Sequence, residues 1–479
     1  MLAVRPDWES SDKQQNEDEH EIASHSECSL CLNFAPRLDA ARSTNWQTFP
    51  DRSDPQRRRQ GVQRVLPLLL ACAVLSGCSI QGEKNEIHTP VIAKYSVQQP
   101  EFRRTTDALL GANLLPGNRV EPLQNGRQIF PAMLAAIARA KQTINFETYT
   151  YWSGDVGHEF AVALAQRARS GVRVRCIFDW EGTARMSIGD RNLLRDAGVE
   201  VVSYHPLQWW DVRRFNNRTH RKLLIVDGRI GFIGGVGIAD PWQGDARNRD
   251  EWRDTHYRVE GPVVAQVQAA FMDNWIKSKG EVLHGNEFFP SLAHVGSVWA
   301  QAVKSSPGVG NQTMRLTFLL AIASAAKSIR VENPYFVPDK LLVEELLEAR
   351  RRGVTVEFIV PGPAIDSKIT RATSRSGWGP LLEAGAKIYE YEPTMIHSKL
   401  LIVDGAWVSI GSSNFDYRSM RLNDEANLNV LDRAFAQKEI AVFERDKQRA
   451  RLVDYATWSH RPLTEKLATP FWEAVRPEL

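Results

Sequence analysis

From about Gly117 onward, the apolar positions switch between two periods. Phe130, Met133, Leu134, Ile137 and Ala138 recur at helical spacing and predict an amphipathic helix. Residues 144–149 read as an extended strand. A second helix is predicted over residues 160–168, broken at Ser170-Gly171, and residues 172–178 then alternate as a strand does. The order repeats further on. A helix through Leu319, Ile322 and Ala326 leads to a strand at 329–332. The helix over 341–350 ends at Arg352-Gly353, and a strand follows at 354–360. Ile144-x-x-Glu147 matches Ile329-x-x-Glu332, and Gly171-Val172 matches Gly353-Val354. Alternation of this kind implies an α/β fold of two lobes with right-handed crossovers. The duplication implies a pseudo-two-fold, with any shared site at the lobe interface.

The leading segment carries no such periodicity. Residues 1–60 are polar and read as a disordered or mis-annotated leader. Arg57-Arg58-Arg59 and Arg64 then precede an apolar run, 65–75, too short to span a bilayer and placed as a secretory signal would be. It ends in Leu75-Ser76-Gly77-Cys78, so residues 61–78 resemble a bacterial lipoprotein signal, with Cys78 as the lipidated residue. A start near Val62 would put this signal at the amino terminus. Ser79 follows Cys78, and the lack of Asp there favours the outer membrane, facing the periplasm. Residues 79–116 are expected to form a tether, 117–290 the first lobe and 296–479 the second.

Bulk composition narrows the chemistry only slightly. The 479 residues are 43% hydrophobic and carry a formal net charge of +3, from 60 basic and 57 acidic residues. A nucleic-acid binder held by bulk charge would show a larger excess, so nucleic acid is not the expected partner. Five cysteines are too few and scattered for a disulfide framework; Cys28 and Cys31 have half the spacing of a zinc site but no second pair.

The chemical signal lies at the end of each repeat. His220-Arg221-Lys222 begins a segment running through Asp227 to Gly234, and His397-Ser398-Lys399 begins one running through Asp404 to Gly411. Both read H-x-K-x4-D, with a glycine seven residues beyond the aspartate. On an extended chain residues i and i+2 share a face, so each histidine projects beside its lysine. One neutral imidazole can attack phosphorus while the other, protonated, donates to the leaving oxygen; the lysines hold the non-bridging oxygens. The pattern calls for no metal and no cofactor. Asp227 and Asp404 fit either this chemistry or an ordinary Asp-Gly turn.

The double motif resembles the phospholipase D superfamily, from about Gly117 to the C-terminus. That resemblance implies two facing α/β lobes and a covalent phosphohistidine, resolved by water or an alcohol, with His220 as nucleophile and His397 as acid–base in the commoner assignment. It implies polar contacts from Ser412 and Asn414, whose first-half counterparts are Gly235 and Gly237. It also implies a histidine-orienting role for Glu425 and, as its counterpart, Asp254.

Several stretches are most similar to bacterial cardiolipin synthases: 117–120, Tyr149-Thr150-Tyr151-Trp152, Asn333-Pro334-Tyr335-Phe336-Val337-Pro338, 388–391 and Arg461-Pro462-Leu463. That likeness implies a phosphatidyltransferase using phosphatidylglycerol or a similar phospholipid at a membrane surface. Trp209, Trp210, Arg213 and Arg214, among fourteen tryptophans, suit a headgroup interface. Two alternatives remain open on sequence: a hydrolytic phosphodiesterase acting on lipid or nucleic acid, and a catalytically silent lipid-binding module.

Overall fold

The computed structural model describes residues 87–206, 216–307 and 312–475. The lipobox with Cys78, the Cys28/Cys31 pair and the 209–214 loop lie outside these residues.

The first half supplies β1 (Leu115–Gln124), β2 (Thr143–Thr148), β3 (Arg173–Asp179), β4 (Glu200–Tyr204), β5 (Arg218–Thr219), β6 (Leu223–Val226), β7 (Ile230–Gly234) and β8 (Thr255–Glu260). The second supplies β9 (Val298–Ser305), β10 (Ser328–Glu332), β11 (Thr355–Pro361), β12 (Lys387–Tyr391), β13 (Leu400–Val403), β14 (Trp407–Gly411), β15 (Asn423–Leu431) and β16 (Ala450–Val453). The helices that matter here are α1 (Pro100–Leu109), α2 (Asn125–Arg139), α3 (Asp155–Arg169), α4 (Val264–Lys279), α5 (Thr313–Ala323), α6 (Lys340–Arg351), α7 (Lys368–Ser376), α8 (Tyr417–Arg421), α9 (Arg433–Lys447), α10 (Leu463–Leu467) and α11 (Thr469–Val475).

Strand order shows the duplication directly. Across the sheet it runs β16-β12-β11-β10-β13-β14-β15-β9-β1-β8-β7-β6-β2-β3-β4. Read outward from the β1/β9 pair, the two halves have matching neighbours, and β16 adds an extra edge. Within each half the crossover strands are parallel (β2–β3–β4 and β10–β11–β12), while the motif hairpins β6–β7 and β13–β14 are antiparallel.

Three packed layers hold this arrangement. α2 and α3 cover one face of the first half through Phe130, Met133, Phe160 and Leu164. α5 and α6 cover the corresponding face of the second through Phe318, Ile322, Leu342 and Leu346. α4 and α9 share a core with strands of both halves, joining Val267, Phe271 and Trp275 to Leu400, Ile410 and Phe435. The halves are therefore fused through one apolar layer as well as through the sheet.

The segment before β1, expected as tether, contains α1. Phe102 is buried edge-on against Trp407, 6.0 Å between centroids, and Val97 and Leu110 join the second-half core. Its apolar positions are too few for a periodic signal, yet tertiary contact suffices to order them. Among the described residues no helix is long and apolar enough to cross a membrane.

Candidate active site

Each motif histidine sits just ahead of its strand, where the chain is stapled to the opposite half. β5 pairs in parallel with the start of β15, and the His220 N–H donates to Asp424 O at 2.9 Å. In the other half Arg253 bridges Ile396 in parallel, and the His397 N–H donates to Arg253 O at 2.7 Å. One residue further along each partner segment stands a carboxylate. The backbone register therefore crosses the assignments: Glu425 meets His220, and Asp254 meets His397.

Both contacts are made through Nδ1. His220 Nδ1 lies 2.9 and 3.1 Å from the two Glu425 oxygens, and His397 Nδ1 lies 2.9 Å from Asp254 Oδ2. With Nδ1 so held, Nε2 is the nitrogen left for chemistry. Neither carboxylate has exposed surface. Burial would raise Glu425, but His220, Lys222 and Ser412 outweigh it and bring the group to about 2. Asp254 is likewise held below the usual range, by His397 and Lys399 against its burial.

The lysines differ in detail. Lys222 Nζ donates to the His220 carbonyl at 2.6 Å and lies 5.5 Å from the Tyr149 ring. Lys399 Nζ donates to the His397 carbonyl at 2.7 Å and lies 2.9 and 3.0 Å from the two ring nitrogens. Burial, then the opposing Lys399 charge, lowers Lys222 to about 7; burial lowers Lys399 to about 8 despite Asp254 and Glu425. Burial and the ammonium groups also push His220 to about 4 and His397 to about 3. Burial and the lysine charges thus disfavour the protonated form of both imidazoles in the free site. A desolvated imidazole between two ammonium groups keeps its proton only if an anion offsets them.

Both histidines and Lys222 open into a pocket of about 330 Å³. His220, Lys222, His397 and Asn414 line it, and Asn414 Oδ1 is buried with no hydrogen-bond partner among the described residues. The walls are unequal. His397 is flanked by Trp242, Trp252 and Tyr335 at 5.3, 5.7 and 6.2 Å, whereas His220 has Tyr149 at 5.5 Å. Arg218 and Arg418 add charge to the lining.

Ser412 reaches the site through Glu425, to which its hydroxyl donates; Ser419 donates to the same carboxylate at 2.7 Å. The first half cannot copy this. A Cβ on Gly235 would lie 2.6 Å from Asp254 Oδ1, and one on Gly237 would lie 2.7 Å from Thr150. There Trp242 Nε1 donates to Asp254 at 2.9 Å instead. Trp242 follows Gly235 by the same seven residues that separate Ser419 from Ser412.

Asp227 and Asp404, grouped with the histidines on sequence, are not brought to the pocket. Each stands at the far end of its motif strand with positive φ, 53° and 54°. Asp227 accepts the backbone N–H groups of Lys141, Gln142 and Thr143; Asp404 accepts those of Ala326, Lys327 and Ser328. Their carboxylates tie the motif hairpin to the start of β2 or β10, an arrangement that fits the second of the two readings the sequence left open, the Asp-Gly turn.

Two buried arginines were missed on sequence. Arg221 donates to Ala270 O, Ser305 O and Asp273, and Arg253 to Asp446, Asp254 O and Thr255. Their positions, one beyond His220 and one before Asp254, were the available signal. Among the described residues no three His, Cys, Asp or Glu side chains are grouped to hold a metal ion.

Comparison with known proteins agrees with this geometry. A family model described as "Cardiolipin synthase, PLD-like domain" matches residues 133–251 and 318–447, the two repeats. A cardiolipin synthase of Geobacillus kaustophilus is 34% identical over 360 residues, covering 74% of this chain and 72% of that protein. Cardiolipin synthase 2 of Bacillus anthracis is 32% identical over 403 residues, covering 84% and 78%. The crystal structure of a phosphatidylserine synthase from Haemophilus influenzae, 14% identical, shares the fold with a TM-score of 0.60, over 79% of this chain and all of that one. With its double motif crossed between two matched lobes, the chain belongs to the cardiolipin synthase family of phospholipase D-like enzymes.

Proposed function

We propose that the chain transfers a phosphatidyl group from phosphatidylglycerol, or a similar donor, to a hydroxyl of a second phosphatidylglycerol, releasing glycerol and giving cardiolipin. The observation that carries this reading is the pair of imidazoles, each with Nδ1 on a buried carboxylate and each beside a lysine, around one pocket. In the first step His220 Nε2 forms a bond to phosphorus, and the bond from phosphorus to the headgroup oxygen breaks. That oxygen takes a proton from His397. In the second step His397 takes the proton of the acceptor hydroxyl, whose oxygen bonds to phosphorus as the phosphorus–nitrogen bond breaks.

Lys222, Lys399 and Asn414 hold the non-bridging oxygens. The donor phosphate offsets the two ammonium groups, and this lets His397 carry the proton it lacks in the free site. Asp227 and Asp404 take no part. The aromatic wall around His397 excludes water while the intermediate waits for an alcohol, which favours transfer over hydrolysis.

On the sequence reading, lipidated Cys78 anchors the chain in the bacterial envelope, in the outer membrane facing the periplasm, with 117–290 and 296–479 as the catalytic lobes. The test is mass spectrometry of lipids after incubation with phosphatidylglycerol vesicles. Cardiolipin, absent with His220→Ala, supports the transferase. Phosphatidic acid alone would make it a hydrolase and overturn the proposal.

A further inference from the structure

The C-terminal helices form a second cationic cavity, separate from the histidine pocket. α7 carries Lys368, Arg371 and Arg375 at i, i+3 and i+7, and Arg461, Glu465 and Trp472 close a space of about 310 Å³ against them. Four cations thus face a single lining carboxylate. Beneath them, Glu390 has no exposed surface and accepts from Arg371 at 2.6 Å and Arg375 at 2.7 Å, and it is also paired with Arg451. Arg375 also meets Glu465 at 3.6 Å and Arg451 meets Glu392 at 3.3 Å, so five cations, Lys368, Arg371, Arg375, Arg451 and Arg461, stand against three carboxylates and the excess is positive. Lys368 has no ion-pair partner among the described residues.

The helices that close this cavity also carry exposed apolar side chains. Leu463, Leu467 and Phe471 on α10 and α11 are 73%, 80% and 60% exposed, and Ile369 on α7 is 53% exposed. Soluble surfaces scatter such side chains singly; collecting them beside a cationic cavity marks an interaction surface. The same short loop serves both pockets, since Ile365 lines this cavity and Asp366 lines the histidine pocket.

We propose that this cavity binds the phosphate of an anionic phospholipid in a bilayer, while Ile369, Leu463, Leu467 and Phe471 enter the interface around it. Cations directed at phosphate with aliphatic and aromatic side chains beside them are the combination that holds a protein on an anionic lipid surface. A soluble phosphate would match the arginines but gain nothing from the exposed apolar side chains. Docking here sets the mouth of the histidine pocket next to the headgroup layer. The inference extends the lipid substrate reading above but concerns binding, so it can be tested apart from catalysis.

The experiment uses the full chain with Cys78→Ser, to remove any acyl anchor, and vesicles of phosphatidylcholine with or without phosphatidylglycerol. Sedimentation should show binding only when phosphatidylglycerol is present. Leu463→Ser, Leu467→Ser and Phe471→Ser combined should weaken it by at least roughly tenfold. Lys368→Gln should weaken it by roughly fivefold, the contribution of one basic side chain at such a surface. Turnover of short-chain, monomeric phosphatidylglycerol should not change in these variants, and this confirms that they fold. Variants that bind like the parent, or equal binding to pure phosphatidylcholine, would overturn the proposal. Release by inorganic phosphate, beyond what chloride of equal ionic strength causes, would reassign the cavity to soluble phosphate and also overturn it. Vesicle binding without lipid product would instead leave this surface standing and sink the transferase.

Discussion

The two half-sites use the same backbone but support their histidines differently. Around His220 the carboxylate is Glu425, gripped by two serine hydroxyls, Ser412 and Ser419. Around His397 it is the shorter Asp254, held by an indole N–H and by the Thr255 backbone N–H at 2.8 Å. A glutamate reaches farther and needs two small donors; an aspartate sits back and leaves room for a tryptophan. Both histidine side chains are nearly buried, 10% exposed for His220 and 7% for His397. Equivalent positions in a duplicated fold thus use different donors, hydroxyls on one side and an indole and a backbone amide on the other.

The sharpest way to break this comparison is to remove each histidine in turn. His220→Ala and His397→Ala should each lower turnover by about 10³-fold or more. After brief exposure to phosphorus-labelled lipid and denaturation, His397→Ala should keep label on the protein and His220→Ala should not. The reverse result would exchange the roles of the halves.

Next in size are the carboxylates and their donors. Glu425→Gln and Asp254→Asn should each cost roughly 10²-fold in kcat, because an amide can leave the imidazole in the wrong tautomer. Gly235→Ser, which makes the first half resemble the second, should be harmful, since its Cβ meets Asp254 Oδ1 at 2.6 Å. An active Gly235→Ser enzyme would show that the halves are interchangeable after all.

The pH profile follows from the shifted groups. With soluble substrate, kcat/KM should fall on the acid side as His220 gains its proton near 4. It should fall again on the alkaline side as Lys222 and then Lys399 lose charge through about 7 and 8. A flat profile from pH 6 to 9 would remove the lysines from phosphate binding.

The smallest effects concern the feature the halves share. Asp227→Ala and Asp404→Ala should each cost about 1–3 kcal/mol of stability, the penalty for orphaned backbone N–H groups. Thermal unfolding should show this, with kcat per folded molecule unchanged. A large loss of kcat at full stability would return these aspartates to the chemistry.

The repeat, the α/β class and the two His–Lys pairs were legible because local periodicity and a short motif encode them. Glu425 and Asp254 were legible as orienting acids, yet their crossing was not. His220 and Glu425 are 205 residues apart, and only strand pairing between the halves brings them together. Asp227 stayed between chemistry and turn on sequence, because the N–H groups of residues 141–143 that it accepts are recorded in no motif. Trp242 was hidden because an indole replaces a hydroxyl at an equivalent place. The order of α1 escaped because a few apolar residues can pack on a distant core without any period of their own.

The crossed carboxylates also bear on how the protein is made. While the ribosome has released only the first half, His220 exists without Glu425, and Asp254 waits for a histidine not yet synthesised. His397 meets Asp254 as soon as it emerges, but His220 has no carboxylate until residues 423–425 have joined the earlier strands. A chain that stops short of Glu425 therefore carries His220 without the carboxylate that holds its Nδ1.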